Sequence, residues 1–320
     1  MEWERLADLT VARFGHSSCF VNGLGLVTVG GRSGVDIGAS RWPPVAALRA
    51  ANPFNTAFLL NSVECLATLD AAAATAMSNL NIDFFGNGAM FEDREKPGSV
   101  VLMGGLVQVI DPTPPGLLFT ETSACYSADV LTGVCTARAP LGLRRAFFTA
   151  VEWLPGTQGL PAGGGYFVVS DGTPHSFRTE GEDTAGRQGV GRVSEGLETL
   201  LPDLLIERSF SRAHLLDGGR LMVIGGSSQF HPASLMSCET LNVKDVNGQW
   251  QQGHHLLQDM PSRRADFASA QLNGCVIVAG GLRMNTVMSK GVQLFHVASN
   301  TWRYLPPLPE EIFGMASSVF

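Results

Sequence analysis

The chain is poor in charge, in lysine and in tyrosine, and each shortage closes off a class of function. Charged residues make up 16% of 320, and the net charge is −7. A nucleic acid is therefore not an expected partner, because its backbone is held mainly by clustered cations. Lysine occurs only as Lys96, Lys244 and Lys290, so arginine supplies nearly all the positive charge. No stretch approaches the ~20 apolar residues that cross a bilayer. The opening MEWERLADLTVARFGHSS carries acids where a secretion signal needs positive charge, and no apolar run follows. No membrane partner is expected, and the cytoplasm is slightly favoured as the compartment. The six cysteines are scattered without a C-x-x-C pair, which argues against a disulfide-stapled domain and against a zinc site of that kind.

Familiar catalytic patterns are missing too. There is no H-E-x-x-H, no G-x-x-x-x-G-K-[ST] and no G-x-S-x-G. Gly163–Gly164–Gly165 leads into a strand pattern, not a helix, so it reads as a turn. His16 and His296 fall on strand patterns, and His254–His255 are neighbours that could hardly ligate one metal together. His175 and His231 lie in long loops and are the histidines to watch. Neither a metal nor a cofactor is expected, and no catalytic set is assigned. The run Ala71 to Ala76 reads as a short helix or packed turn.

What the chain does have is a repeated apolar run that ends in a glycine pair. LVTVGG, VVLMGG, LMVIGG and VIVAGG end at Gly30–Gly31, Gly104–Gly105, Gly225–Gly226 and Gly280–Gly281. YFVVSDG is a weaker copy ending at Gly172. Such internal repeats decide the architecture before anything else does. Arg13, Arg208 and Arg263 precede three of the pairs at one constant offset. Between arginine and glycine pair lie two apolar runs joined by VNG, LDGG or LNG, the strongest short-range signal of a hairpin. A third strand follows: SVECL, SACYS, SCETL and GVQLF. A fourth carries a large residue, clearest at Trp250 and Trp302, and a connector with proline closes the unit. Each unit is thus four short antiparallel strands. One such sheet cannot bury both faces, whereas several stacked around an axis can, which predicts an all-β propeller.

The arginine connector, the N-G turn, the glycine pair, the S-V-E strand and the tryptophan strand together resemble the Kelch repeat family. The copy from MPSRRADFASAQLNGCVIVAGG to GVQLFHVASNTWRYLPPLP is the best. The resemblance implies one propeller over 1–320, with repeats at about 14–82, 83–143, 144–207, 208–262 and 263–305 and a partial repeat at 306–320. Trp3 with Leu6 reads as a fourth strand without its blade, and Ile312 to Phe320 as a first strand without its blade. They would be the outermost and innermost strands of a sixth blade, so the chain is either a ring of five with frayed ends or part of a larger ring. The resemblance is nearly silent on function, because the scaffold hosts binders and enzymes alike. One enzymatic branch is similar to galactose oxidase, a copper-radical enzyme needing a tyrosine joined to cysteine. Only Tyr126, Tyr166 and Tyr304 exist here, and Cys125 beside Tyr126 would point to the opposite sheet face.

Alternating strand directions put the connectors and the loops after the glycine pairs on one face. Those loops, Arg32 to Asn61, Leu106 to Thr122, Thr173 to Glu195 and Ser227 to Ser237, are long and read as irregular, where binding groups usually sit. Arg13, Arg144, Arg208 and Arg263 reach the same face, and with His231 they are the candidate partner-binding residues. Guanidinium groups there suit a protein partner, in particular an acidic peptide or loop. The competing reading pairs these arginines with carboxylates of neighbouring blades, such as Asp266. Cys125 and Cys135 could face each other in one hairpin as a disulfide, or be two buried thiols with Cys135 in the tryptophan position. The expected function is a non-catalytic interaction module using the loop face. The alternative is a propeller enzyme acting on a carbohydrate or small polar substrate at the channel mouth.

Overall fold

The structure is a computed structural model. It describes residues 9, 15–31, 62–67, 75–82, 88–112, 115–171, 188–194, 197–228, 234–245, 248–252, 256–283 and 287–317. Among these there is no α-helix, and five antiparallel sheets are arranged as the blades of a β-propeller. Blade 1 is β1 (Ser17–Val21), β2 (Gly25–Val29), β3 (Ser62–Leu66) and β4 (Thr75–Asn79), hydrogen-bonded in that order. Blade 2 is β5 (Ala89–Glu92), β6 (Ser99–Met103), β9 (Cys125–Asp129) and β10 (Cys135–Arg138). The hairpin of β7 (Leu106–Pro112) and β8 (Pro115–Glu121) is inserted within it.

Blade 3 is β11 (Thr149–Trp153), β12 (Gly165–Asp171), β13 (Gln188–Ser194) and β14 (Leu197–Leu201). Blade 4 holds β15 (Arg212–Leu216), β16 (Arg220–Ile224) and β17 (Cys238–Asn242). Its fourth position is reduced to one bridge, Thr240 to Gln251, beside Trp250. Blade 5 holds β18 (Ala268–Leu272) and β19 (Cys275–Ala279), then the short pair β20 (Leu282–Arg283) and β21 (Val287–Met288). It is completed by β22 (Val292–His296) and β23 (Thr301–Leu305).

The core lies between blades. Second strands are sandwiched from both sides, so they are largely apolar instead of alternating; all of SVVLM in β6 is buried. Val27 and Val29 of blade 1 pack on Met90, Val100 and Leu102 of blade 2. Leu216, Met222 and Ile224 of blade 4 pack on Phe267, Val276 and Phe295 of blade 5. The indole N–H groups are tied to the chain: Trp250 donates to the Pro202 carbonyl (2.7 Å) and Trp302 to the Gln258 carbonyl (2.8 Å).

Four expectations need correction. The segment after Gly105 is not an irregular loop but the β7–β8 hairpin, paired from Leu106–Glu121 to Pro112–Pro115. The alanine-rich run ends in a strand, because Thr75–Asn79 pairs with β3. Cys125 and Cys135 do not face each other: the ladder sets Cys125 opposite Arg138 and Cys135 opposite Ala128. That offset along a strand exceeds the ~7 Å Cα separation a disulfide can span, and all six cysteines are free thiols. Finally, Ile312 to Ser317 forms no strand; Trp3 and residues 318–320 lie outside the described residues.

Candidate functional site

The connectors do meet the glycine pairs on one face, and backbone bonds hold them there. Gly105 N–H donates to the Arg145 carbonyl (2.7 Å) and Gly226 N–H to the Arg264 carbonyl (2.8 Å). Single bridges join Thr122 to Arg145, Ser209 to Ser227 and Ala265 to Leu282. The glycines allow this approach. All four residues of the pairs Gly104–Gly105 and Gly225–Gly226 have positive φ, and a Cβ on Gly225 would lie 2.7 Å from the Arg264 carbonyl oxygen.

One arginine stands four residues ahead of the first strand in blades 3, 4 and 5: Arg145, Arg208 and Arg264. All three are buried. The Arg208 guanidinium binds the Glu239 carboxylate, the carbonyls of Gly225 and Ser237 (2.9 Å each) and the Ser237 hydroxyl. Glu239 also accepts from the backbone N–H groups of Leu205 (2.7 Å) and Ile206 (3.1 Å). Arg145 pairs with Glu198 at 2.6 Å. In blade 4 the acid of the third strand, and in blade 3 an acid of the fourth strand, is thus the counter-ion of the connector arginine, and each pair latches a blade to its connector.

This places the candidate residues. Arg208 is not a surface group: its fork is consumed inside the latch, so it is framework and not a partner contact. The constant offset misidentified its blade-5 counterpart. The Asn273–Gly274 turn, with φ of 50° and 70°, is a two-residue turn, whereas Asn22 to Leu24 and Asp217 to Gly219 span three. Counting back from the glycine pair therefore lands on Arg263, one residue past Arg264. Arg263 and Arg144 are the exposed neighbours of latch arginines. Arg263 donates to the Ser234 carbonyl (3.3 Å), and neither has a carboxylate partner among the described residues. Arg13 and His231 lie outside the described residues, as does His175. Asp266 is no arginine partner on the loop face; it lies at the axis.

That axis carries what the repeat pattern did not reveal. The first strands surround a cavity of about 200 Å³ lined by residues 15–18, 88–91, 147–150, 210, 212, 266 and 314–317. The residues two ahead of the first strands of blades 1, 3, 4 and 5, with Gly314, are joined by an arc of backbone bonds around the cavity, here called the ring. Phe210 N–H donates to Phe147 C=O, Asp266 to Phe210, Gly314 to Asp266 and Gly15 to Gly314, at 3.0–3.4 Å. Each has positive φ, including Phe147 (57°), Phe210 (56°) and Asp266 (53°), a conformation uncommon for bulky residues. The ring presents Phe147, Phe210 and Asp266 to the cavity. The two phenyl rings sit 4.9 Å apart.

Two charges face this space. Burial pulls the Arg212 guanidinium below its usual range, opposed by Asp266; burial raises the Asp266 carboxyl, opposed by Arg212 and by the Gly314 N–H. Arg212 donates to the carbonyls of Ser211 (3.0 Å) and Met315 (3.0 Å). Behind it, His214 bonds the Ser269 hydroxyl (2.7 Å), and its pKa is lowered to about 4, by burial first and Arg212 second. Among the described residues no cluster of histidine, cysteine or acid could hold a metal, and no helix is long and apolar enough to cross a membrane.

Comparison with known proteins bears on the fold. The Kelch motif model matches residues 263–309, which is blade 5 with its connectors. A solved structure described as the structure of YjhT superposes over 98% of this chain and 89% of its own, at 12% identity and a TM-score of 0.66. The repeats, the sheet arrangement and these matches agree on the fold: the chain is a β-propeller whose last blade matches the Kelch motif.

Proposed function

We propose that the protein is an interaction module that docks an acidic peptide or acidic loop of another protein on its loop face, without catalysis of its own. Binding other proteins is the general role of Kelch propellers. The observation that carries the reading is the exposed pair Arg144 and Arg263. They occupy the same place in two connectors and lack carboxylate partners among the described residues. Each sits beside a latch arginine whose carbonyl is pinned to a neighbouring glycine pair. Backbone fixed in this way leaves less to be ordered on binding.

Peptide display on the immobilised protein tests this. Enriched peptides should be rich in Asp and Glu. The double reversal R144E/R263E should weaken them by about tenfold or more, and added salt should weaken them in the parent. Enriched peptides without acids, or indifference to the reversal, would sink the reading. A propeller enzyme for a small polar substrate is the second reading, favoured by Arg212 and Asp266 in the channel.

A further inference from the structure

We infer that the axial cavity is a binding site for a small organic carboxylate that also carries a hydrogen-bond donor, such as a hydroxy acid or an amino acid. The inference is independent of the acidic partner proposed for the loop face.

The argument starts from two opposite charges that share a small space without touching. Arg212 and Asp266 both line the cavity, and no ion pair joins them. Withdrawing an arginine and a carboxyl even partly from water is costly, and direct contact is the ordinary compensation; both side chains are half-buried here. Here the fork of Arg212 is turned to the Ser211 and Met315 carbonyls, with Phe267 at 5.8 Å from its centre. Two of its five N–H donors are used, and the rest have no acceptor among the described residues. A group between the charges must therefore present an acceptor to Arg212 and a donor to Asp266. A carboxylate bearing a hydroxyl or ammonium does both.

Apart from His16, whose imidazole also lines the cavity, the other polar side chains of the walls are already committed, which sharpens the assignment. Ser17 donates to the Gly88 carbonyl (3.1 Å) and Ser18 bonds Thr28 (3.0 Å). Thr149 accepts from the Ala213 N–H (3.1 Å), and Ser317 is bonded to the Ser269 backbone. Charged recognition falls to Arg212 and Asp266, with His16 a further polar group on the wall, while Phe147, Phe210 and Met315 supply an apolar wall. At about 200 Å³ the space far exceeds the ~10–15 Å³ one water needs and falls below the ~300 Å³ floor of drug-sized sites. The ligand must be small. The positive φ at Phe147, Phe210 and Asp266 adds weight, because such strain persists where the surroundings over-determine it and concentrates at ligand sites.

The test is titration calorimetry of the whole chain with glycerate, lactate, malate and serine, against propionate, glycerol and chloride. At least one of the first four should bind with a Kd near or below about 1 mM, and more tightly than propionate or glycerol. R212Q should lose at least tenfold in affinity for that ligand. D266N should narrow its advantage over propionate. A cavity-filling A316L variant, which leaves both charges in place, should abolish binding, and it decides the matter if R212Q does not fold. No heat with any of the four, equal binding of chloride, or unchanged affinity in folded R212Q or A316L would overturn the proposal.

Discussion

Arg264 occupies the same kind of socket as Arg208 but without an acid. It reaches the carbonyls of Gly280 and Gly291 (2.7 Å each). Where blade 4 has Glu239, blade 5 has Gln293, whose side-chain carbonyl is buried without a partner. Burial, with Arg283 nearby, pushes the Arg264 guanidinium down to about 10. Gln293→Glu should therefore stabilise the fold, by about 1–3 kcal/mol for a charge-assisted bond, read as a higher denaturation midpoint. Glu239→Ala should do the reverse and cost about 3–5 kcal/mol, because it strands a buried guanidinium. His214 makes a pH prediction. Its folded pKa is about 4 against 6.5 in the unfolded chain, so the unfolded state binds the extra proton between those values. Its contribution is intact above pH 6.5 and is lost as pH falls toward 4, about 3 kcal/mol in all. Asp266 acts in the opposite sense, since its raised pKa favours folding below its unfolded value. The comparison is thus between the parent and His214→Gln, whose acid limb should be flatter. Identical curves would remove His214 as the cause.

At the scale of the element, what could be read in advance was whatever the backbone demands locally. The N-G turn and the glycine pair need positive φ wherever they occur, so LNG and VIVAGG announce a hairpin and its end. Two glycines separate the demands. Gly218→Ala meets no atom within 4 Å and should cost only the ~1–2 kcal/mol of a left-handed L-residue. Gly225→Ala meets the Arg264 carbonyl at 2.7 Å and the Phe267 ring at 2.8 Å, so its loss in urea midpoint should be clearly larger. Legibility failed where the outcome depended on a neighbour. The latch arginine of blade 5 was misnumbered because one turn is a residue shorter. The direction of a side chain, inward for Arg208 and Arg264 and outward for Arg263, depends on its register against the first strand and on the carbonyls that the socket offers. Arg212 and Asp266 gave no signal, because nothing in the sequence says that two residues far from each other's repeat position share the axis. The spacing of two ahead of the first strand, read at Gly15, Phe147, Phe210 and Asp266, is the pattern that could have found the ring, which Gly314 joins without a strand behind it.

Across the whole molecule the blades are not equally covered. β6 is buried throughout, whereas Cys275, Ile277 and Ala279 of β19 are half-buried. Their flank faces away from blade 4. Cys275 and Cys135 are the half-buried thiols; Cys19 and Cys238 are buried and raised to about 12, and Cys125 to about 11. Because the thiolate is the reactive form, iodoacetamide should label Cys275 and Cys135 well before Cys19 and Cys238, as read by peptide mass mapping. Early labelling of Cys238 would mean that the blade 4–5 seam opens more readily than its packing implies. The ring of peptide bonds has a further consequence. From Gly15 through Gly314, Asp266 and Phe210 to Phe147, each N–H points along the circumference toward the next carbonyl. Dipoles laid tangentially around a circle largely cancel along its axis, unlike those of a helix, which add. These bonds therefore add little dipole along the channel. Its electrostatic character is written by a few side chains, so exchanging one of them changes what the channel attracts while the ring that carries it stays the same.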